Sequence, residues 1–176
     1  MSSGIREERL RRGVGVRELA RRVGVTAGAV SQWERSEERG TIKRETLVRA
    51  LAGIDPTLVV DGPVSRRVQP APFPRSEQRR SYELHRDVAR KLIDTPDEVL
   101  AVVPGNVERM RQHVHGPMAH AWLDEWLTLS RGPLGDLLGA MLAIDQHSID
   151  LRQVTPFAGV LTRQERLAAI DRARAA

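Results

Sequence analysis

The chain has 176 residues and a net charge of +5, a length that suits one medium domain or two small ones, each with a buried core. It contains no Cys, which excludes disulfides and thiolate metal sites. No run approaches the roughly 20 apolar residues of a bilayer span, and no signal peptide is recognisable at the start, so we expect a cytoplasmic protein without membrane contact.

The positive charge is concentrated at the front of the chain. Residues 1–54 carry 12 Lys and Arg against 7 Asp and Glu, whereas residues 81–176 carry 11 against 13. Aromatic residues make up only 3%, and Gly and Pro are clustered, which is typical of helices with defined breaks. We therefore predict an all-α fold whose basic front part favours a polyanionic partner. A solvated arginine-rich surface is the alternative.

Residues 1–54 are predicted to form a small domain of four or five short helices. The predicted segments are Ile5 to about Arg12, a second helix from near Gly15, Ala27 to about Ser36, and a fourth helix after Gly40-Thr41. Between the second and third helices, Gly24 permits a sharp turn and Thr26 is suited to cap the next helix. Two short helices joined by such a turn are the signature of a helix-turn-helix.

The segment from Gly13 to Arg35 also carries a recognisable set of residues in one unbroken register. These residues are Leu19, Ala20, Gly24, Val25, Val30, Ser31, Trp33 and Glu34. In their placing, the segment resembles the phage-repressor-like (xenobiotic-response-element) helix-turn-helix family. The resemblance implies a repressor that binds double-stranded DNA as a homodimer on paired half-sites about one helical turn apart. The sequence departs from the family at Val16 and Ala27, where Gln is usual.

The third predicted helix supplies the candidates for reading bases, because major-groove recognition uses the N-terminal half of the inserted helix. The base-reading candidates are Thr26, Ala27, Gly28, Ser31, Gln32 and Arg35. Gln32 suits adenine, and Arg35 suits guanine or phosphate. The phosphate-contact candidates are Arg9, Arg12, Arg17, Arg21, Arg22 and Lys43. A module used only for packing or dimerisation is the alternative.

The stretch S-E-E-R-G-T-I-K-R-E-T-L-V-R-A-L, residues 36–51, is similar to the helix-turn-helix partners encoded beside Fic-domain toxins on mobile elements. This second resemblance implies an autoregulatory repressor that also serves as antitoxin or regulatory partner of a co-encoded toxin. The inhibitory motif of Fic antitoxins requires Gly or Asn after its Glu. Thr41 to Glu45 comes nearest to it, but Thr46 follows. Neutralisation of a Fic toxin would therefore need another contact or act only through transcription.

Residues 55–80 combine four prolines after Asp61 with five arginines, which predicts a linker. Its arginines form either a solvated spacer or an arm along DNA, and Thr57–Val60 is a candidate edge strand. From Ser81 a bundle of five or six short helices is predicted over residues 81–176, for partner binding or dimerisation. Its predicted helices are Tyr82–Ile93, Pro96–Gln112 with a break at Pro104-Gly105, Pro117–Leu129, Pro133–Leu142, Gln146–Gln153 and Arg163–Arg174. Thr95 and Glu98 predict a capping box.

Two apolar features of the bundle are candidates for contact with a partner. Trp122 and Trp126 fall on one helical face, which is either core or a docking anchor. The segment 155–161 either staples the last helix to the bundle or inserts into a partner's groove. The partner-contact candidates are Trp122, Trp126, Arg152, Pro156 and Phe157. An exposed Trp or Phe157 patch would favour a protein partner, whereas a deep apolar cavity would favour a ligand-sensing repressor. A DNA-tethering component of a phage or mobile-element assembly is a further alternative.

Few residues in the sequence suggest catalysis or metal binding. His113, His115 and His120 lie close together, but their spacing matches no established zinc pattern. A nucleophile elbow, a phosphate-cradling glycine loop and paired metal carboxylates are all missing from the sequence. We therefore expect no enzymatic activity, no metal and no cofactor.

Overall fold

A computed structural model describes residues 4–60, 73 and 75–175. These residues form helices and no strand, which confirms the predicted all-α fold class. The helices are α1 (Ile5–Arg11), α2 (Val16–Arg22), α3 (Ala27–Glu38), α4 (Arg44–Ile54), α5 (Thr57–Val60), α6 (Ser76–Asp94), α7 (Pro96–Ala101), α8 (Val103–Arg111), α9 (Pro117–Arg131), α10 (Leu134–Leu142), α11 (Gln146–Leu151) and α12 (Arg163–Ala175). A 3-10 turn, Arg152–Val154, follows α11. Among the described helices, none has the length and apolar content to cross a membrane.

Short-range sequence signals locate several helix ends. Gly13 and Gly24 adopt φ values of +64° and +67°, a region that favours glycine, directly after α1 and α2. The Thr26 hydroxyl accepts a hydrogen bond from the backbone N–H of Ala29 at 3.2 Å, as predicted for an N-cap. The predicted break at Pro104-Gly105 is misplaced by two residues. Pro104 lies in the first turn of α8, where a proline costs no hydrogen bond, and the interruption falls at Val102.

Thr57–Val60 forms a helical turn, α5, and the predicted edge strand is wrong. The Asp55 carboxylate accepts hydrogen bonds from the Thr57 N–H at 2.9 Å and from its hydroxyl at 2.7 Å, which favours a turn at this point. The three residues that follow Thr57 are buried. Residues 61–72 and 74 of the predicted linker lie outside the described residues, whereas residues 76–80 form the start of a long helix, so the linker prediction is wrong for them. Helix α6 already begins at Ser76.

The predicted capping box at Thr95 is also wrong. The Thr95 hydroxyl donates to the Lys91 carbonyl one turn back in α6 and does not cap α7. A capping box forms instead at the start of α12. There the Glu165 carboxylate accepts from the Thr162 N–H at 2.7 Å, while the Thr162 hydroxyl accepts from the Glu165 N–H at 3.3 Å.

The described residues divide into two compact units. Unit 1 comprises residues 4–60 together with Pro133–Ala143, and unit 2 comprises residues 73, 75–132 and 144–175. Helix α10 therefore belongs to unit 1, whereas the sequence prediction included it in the bundle of residues 81–176. It packs on α4, and its apolar residues Leu137, Leu138 and Met141 are buried.

Unit 2 is built along α6, whose inward face buries Tyr82, His85, Val88 and Leu92. Helix α12 packs on α6. Arg172 of α12 reaches two carboxylates of α6, those of Glu83 at 3.1 Å and of Asp87 at 2.5 Å. The ion pairs and the apolar face together hold the last helix on the bundle.

Unit 1 is built around α4, which contacts every other helix of the unit. Two glycines permit its closest contacts. A Cβ on Gly53 of α4 would lie 2.3 Å from Val23 Cγ1 and 3.0 Å from Leu19 Cδ1. A Cβ on Gly135 of α10 would lie 3.4 Å from the Arg49 carbonyl oxygen. The backbone of α4 therefore lies directly against the end of α2 on one side and against α10 on the other.

We predict that Gly53→Ala destabilises unit 1 by about 1 to 3 kcal/mol, because the clash with buried Val23 outweighs the better helix propensity of Ala. Gly28→Ala in α3 is the matched control. Its Cβ would meet nothing closer than 3.8 Å, so a gain of about 0.5 kcal/mol is expected. Hydrogen–deuterium exchange of peptides from α2 and α4 measures both changes. Equal effects of the two substitutions would contradict the close packing at Gly53.

Candidate functional site

The turn between α2 and α3 is closed by backbone hydrogen bonds. The Val25 N–H donates to the Ala20 carbonyl at 2.9 Å, and the Gly24 N–H donates to the Arg21 carbonyl at 3.3 Å. Val23 is buried beneath the turn, and Thr26 then starts α3. We call this arrangement the α2–turn–α3 unit.

The inward face of α3 is fixed to α1 by polar contacts. The Glu34 carboxylate lies 2.9 Å from Arg9 Nε, and the side chains of this ion pair are only 8% and 11% exposed. One turn further along, the Glu37 carboxylate accepts a hydrogen bond from the Ile5 N–H at 2.7 Å, at the start of α1. Val30 on the same face is fully buried. Val30, Glu34 and Glu37 therefore fix the inward face of α3.

The opposite face of α3 is open to solvent. Gly28, Gln32, Arg35 and Arg39 are exposed and follow one another at helical spacing, so they form a single stripe. We call these four residues the α3 stripe. Ala27, Ser31 and Trp33 are half-buried, and the Ser31 hydroxyl donates to the Ala27 carbonyl at 3.2 Å. Of the predicted base-reading residues, Thr26, Gly28, Gln32 and Arg35 are exposed.

Arg39 extends the stripe and was not among the predicted candidates. It is exposed and has no ion pair within the described part of the chain, and Arg35 is in the same state. The available signal was its position four residues after Arg35, which puts both guanidinium groups on one face of a helix. The predicted end of the helix at about Ser36 concealed this relation.

The phosphate-contact candidates fall into three groups. The prediction that Arg9 contacts phosphate is wrong, because this side chain is buried. Its Nη1 donates to the Val14 carbonyl at 2.9 Å, and its charge is paired with Glu34. Arg17 and Lys43 are exposed and make no ion pair with any described residue.

The third group consists of Arg12, Arg21 and Arg22, which are accessible but ion-paired. Arg12 contacts Glu8 and Asp55. Arg21 and Arg22 share Glu18, and their hydrogen bonds lower the pKa of that carboxyl. A phosphate at these arginines would compete with the carboxylates that already contact them.

Four of the five predicted partner-contact residues lie in the core of unit 2. Trp126 is fully buried and donates through Nε1 to the Leu151 carbonyl at 3.0 Å. The Phe157 ring meets it edge-on with the centroids 5.3 Å apart. Pro156 and Arg152 are also buried, and the Arg152 guanidinium lies 5.7 Å from the centroid of the Tyr82 ring. Trp122 is half-buried.

The segment 155–161 is fastened to the bundle by its backbone carbonyl groups. The buried Asn106 amide donates to the Pro156 carbonyl at 2.7 Å and to the Ala158 carbonyl at 2.8 Å. Lys91 Nζ donates to the Val160 carbonyl at 3.1 Å. These contacts fix the segment to the bundle, in agreement with the interpretation in which it staples the last helix; its insertion into a partner's groove stays an untested prediction.

His85 is a buried imidazole at the centre of unit 2. Its Nδ1 lies 2.7 Å from the Ser81 carbonyl oxygen, and its Nε2 lies 2.9 Å from the Thr155 hydroxyl. A carbonyl can only accept, so Nδ1 carries the proton and Nε2 accepts from Thr155. Burial lowers the pKa of His85 to about 4, the Ser81 carbonyl opposes that shift, and the nearby Arg152 charge adds to it. The ring is therefore neutral near pH 7.

The three histidines of the predicted cluster stand apart from this network. His113 is exposed, and its Nδ1 lies 2.8 Å from the Arg109 carbonyl oxygen. His115 is exposed and His120 is half-buried. Within the described residues, no three side chains of the metal-ligating types come together.

No protein-family model, curated protein or solved structure matches this chain. Function therefore has to be inferred from its own residues. Among the described residues, the α3 stripe of unit 1 and the cavity beside His85 in unit 2 both combine polar side chains with accessible surface.

We predict that loss of the Arg9 charge destabilises unit 1, whereas loss of an exposed arginine on the same helix does so much less. Arg9→Met leaves Glu34 buried without a counter-charge and is expected to destabilise unit 1 by about 3 kcal/mol. Arg6→Met is the matched control, since the Arg6 and Glu38 side chains are 66% and 61% exposed and 3.8 Å apart. Its expected cost is below about 1 kcal/mol.

Hydrogen exchange of peptides from α3 separates the effects of these two substitutions. If Arg6→Met cost as much as Arg9→Met, the buried pair would not be what anchors α3 to α1.

We predict that His85 makes unit 2 less stable in acid. Its folded pKa lies below the usual value of 6.5, so the unfolded chain binds the proton more readily. Stability is therefore complete above about pH 6.5 and falls as the pH is lowered to about 4, by about 3 kcal/mol in total. His85→Gln removes this ionisation.

Urea unfolding in a Trp33→Phe background measures the effect, because fluorescence then reports Trp122 and Trp126 of unit 2 alone. The wild-type advantage over His85→Gln should shrink between pH 6.5 and 4. A constant difference across that range would show that His85 does not set the acid sensitivity.

Proposed function

We propose that this protein binds duplex DNA sequence-specifically through the α3 stripe and represses transcription. The observation that carries the proposal is the stripe itself: Gln32 and Arg35 stand exposed on a helix whose opposite face is fixed by Arg9 and Glu34. A side chain that reads a base edge must be both accessible and held in a defined place.

The shape of α3 suits insertion into a groove. Its 12 residues make a rod about 18 Å long, and the major groove of about 12 Å width admits one helix. Ala27, Gly28 and Ala29 at its N-terminal end carry almost no side chain, so the backbone can come close to the bases. Gln32 and Arg35 follow one and two turns later, with the side-chain types that pair with adenine and guanine.

The distribution of charge in unit 1 supports the same proposal. Arg17, Lys43 and Arg39 are exposed cations that make no ion pair within the described residues. The acidic residues of α3 lie at or after Glu34, towards its C-terminal end, and Glu34 and Glu37 face α1. The N-terminal half of α3 therefore presents no carboxylate to an approaching phosphate backbone.

The wider role predicted from sequence remains a proposal. The chain would repress its own operon as a homodimer and would act as antitoxin or regulatory partner of a co-encoded toxin. The burial of Trp126, Arg152, Pro156 and Phe157 does not favour a toxin-docking patch made of these residues. Any such contact would have to use other surface.

We predict that the 176-residue chain enriches a defined site from a random duplex library, with two protomers on each duplex. Gln32→Ala and Arg35→Ala should each weaken binding to that site by about 1 to 3 kcal/mol and remove the preference at one base pair. Arg17→Ala and Lys43→Ala should weaken selected and random duplexes equally. Each should lower the slope of log affinity against log salt by about 1.

Arg131→Ala is the matched control, an exposed arginine of unit 2 without an ion pair in the described chain, and it should change neither quantity. Fluorescence anisotropy at several salt concentrations measures all five variants. Failure to enrich any site would overturn the proposal. Unchanged binding by both Gln32→Ala and Arg35→Ala would do the same.

A further inference from the structure

Unit 2 contains a cavity of about 340 Å³ between α6, the segment 153–161 and the first turns of α12. This volume lies at the lower end of the range found for small-molecule sites, about 300 to 1,000 Å³. The cavity belongs to unit 2 alone, and none of the residues assigned to DNA contact lines it.

The floor of the cavity is apolar. Leu84 and Val88 of α6 line one side, and Phe157 and Leu161 line the other. The Asn106 and Lys91 hydrogen bonds hold the backbone on either side of Phe157. A floor fixed in this way keeps its shape without a ligand, which lowers the ordering cost of binding one.

The buried polar groups of the floor are already satisfied. His85 lines the cavity, but its two ring nitrogens are engaged by Ser81 and Thr155. The imidazole therefore brings no charge and no free donor into the cavity near neutral pH. The deep part of a ligand has to be apolar, because a polar group placed there would find few partners.

Among the described residues that line the cavity, the charged side chains lie at its rim. Arg80 of α6 and Arg166 of α12 line the cavity, are exposed, and form no ion pair with any described residue. Glu77, one turn before Arg80, also lines the rim. Two cations against one carboxylate leave the rim positive, and guanidinium groups are the preferred partners of carboxylates.

We propose that this cavity binds a small organic anion with an apolar body, of the medium-chain or aromatic carboxylate type. The apolar part lies against Phe157 and Leu84, and the carboxylate lies between Arg80 and Arg166. Such a molecule pairs its apolar body with the neutral floor and its negative charge with the positive rim. An uncharged alcohol would match only the floor, and a cationic amphiphile would be repelled at the rim.

The probe for the experiment is decanoate, compared with 1-decanol and decyltrimethylammonium below their micelle concentrations. Isothermal titration of the 176-residue chain should give saturable decanoate binding that is at least about tenfold tighter than for either comparison compound. In the Arg80→Ala/Arg166→Ala variant, decanoate affinity should fall about tenfold while 1-decanol affinity stays within about twofold. Both positions are exposed, so the variant is expected to fold, which a thermal melt checks.

Arg131→Ala/Arg163→Ala is the matched control, because it removes the same charge from exposed arginines that do not line the cavity. It should leave decanoate binding unchanged. The proposal is overturned if decanoate does not bind. It is equally overturned if the rim variant and the control weaken binding alike, since binding would then follow net charge. The titration contains no DNA, so its outcome is independent of the DNA-binding proposal.

Discussion

Helix α4 sets the geometry of unit 1 because its backbone lies closer to its neighbours than side chains normally allow. Val23 Cγ1 lies only 2.3 Å from where a Cβ of Gly53 would be, so the end of α2 packs against a backbone that carries no side chain. Arg49 of α4 adds a polar link, since its Nη2 donates to the Val23 carbonyl at 2.6 Å and its Nε lies 2.6 Å from the Asp136 carboxylate of α10. The turn that starts α3 is therefore positioned by α4, and so is the stripe that α3 exposes.

The parts of this arrangement that follow from neighbouring residues could be predicted from sequence. Helix ends are set by residues three or four positions away at most: a glycine can end a helix, as at Gly13 and Gly24, and a hydroxyl can cap one, as at Thr26. The assignment of α10 to unit 1 depends on Gly135 meeting α4, more than eighty residues earlier in the chain. No local pattern reports such a contact, so the sequence prediction grouped α10 with the helices beside it.

The identity of a charged residue did not reveal whether it contacts solvent; its surroundings in the fold decide that. Arg9 and Arg17 look alike in sequence, yet one is enclosed with Glu34 and the other is exposed. The same limit applied in unit 2, where the spacing of Trp122 and Trp126 defined a helical face without saying which side of the molecule it occupied. The fixation of segment 155–161 depends on Asn106, an ordinary residue in sequence that becomes informative only once its amide is seen between two carbonyl groups.

The electrostatics of unit 1 determine which cations would contribute to the proposed DNA binding. Residues 1–54 carry 12 Lys and Arg, but these charges are not equivalent. Arg9 is used in folding, and Arg12, Arg21 and Arg22 already have carboxylate partners. A phosphate that displaces such a carboxylate gains only the difference between two similar interactions. Non-specific affinity and its salt dependence should therefore follow the few cations without ion pairs rather than the formal charge. In the proposed complex, specificity would rest on Gln32 and Arg35, whose positions are set by the buried Val30 and the Arg9–Glu34 pair on the opposite face of α3.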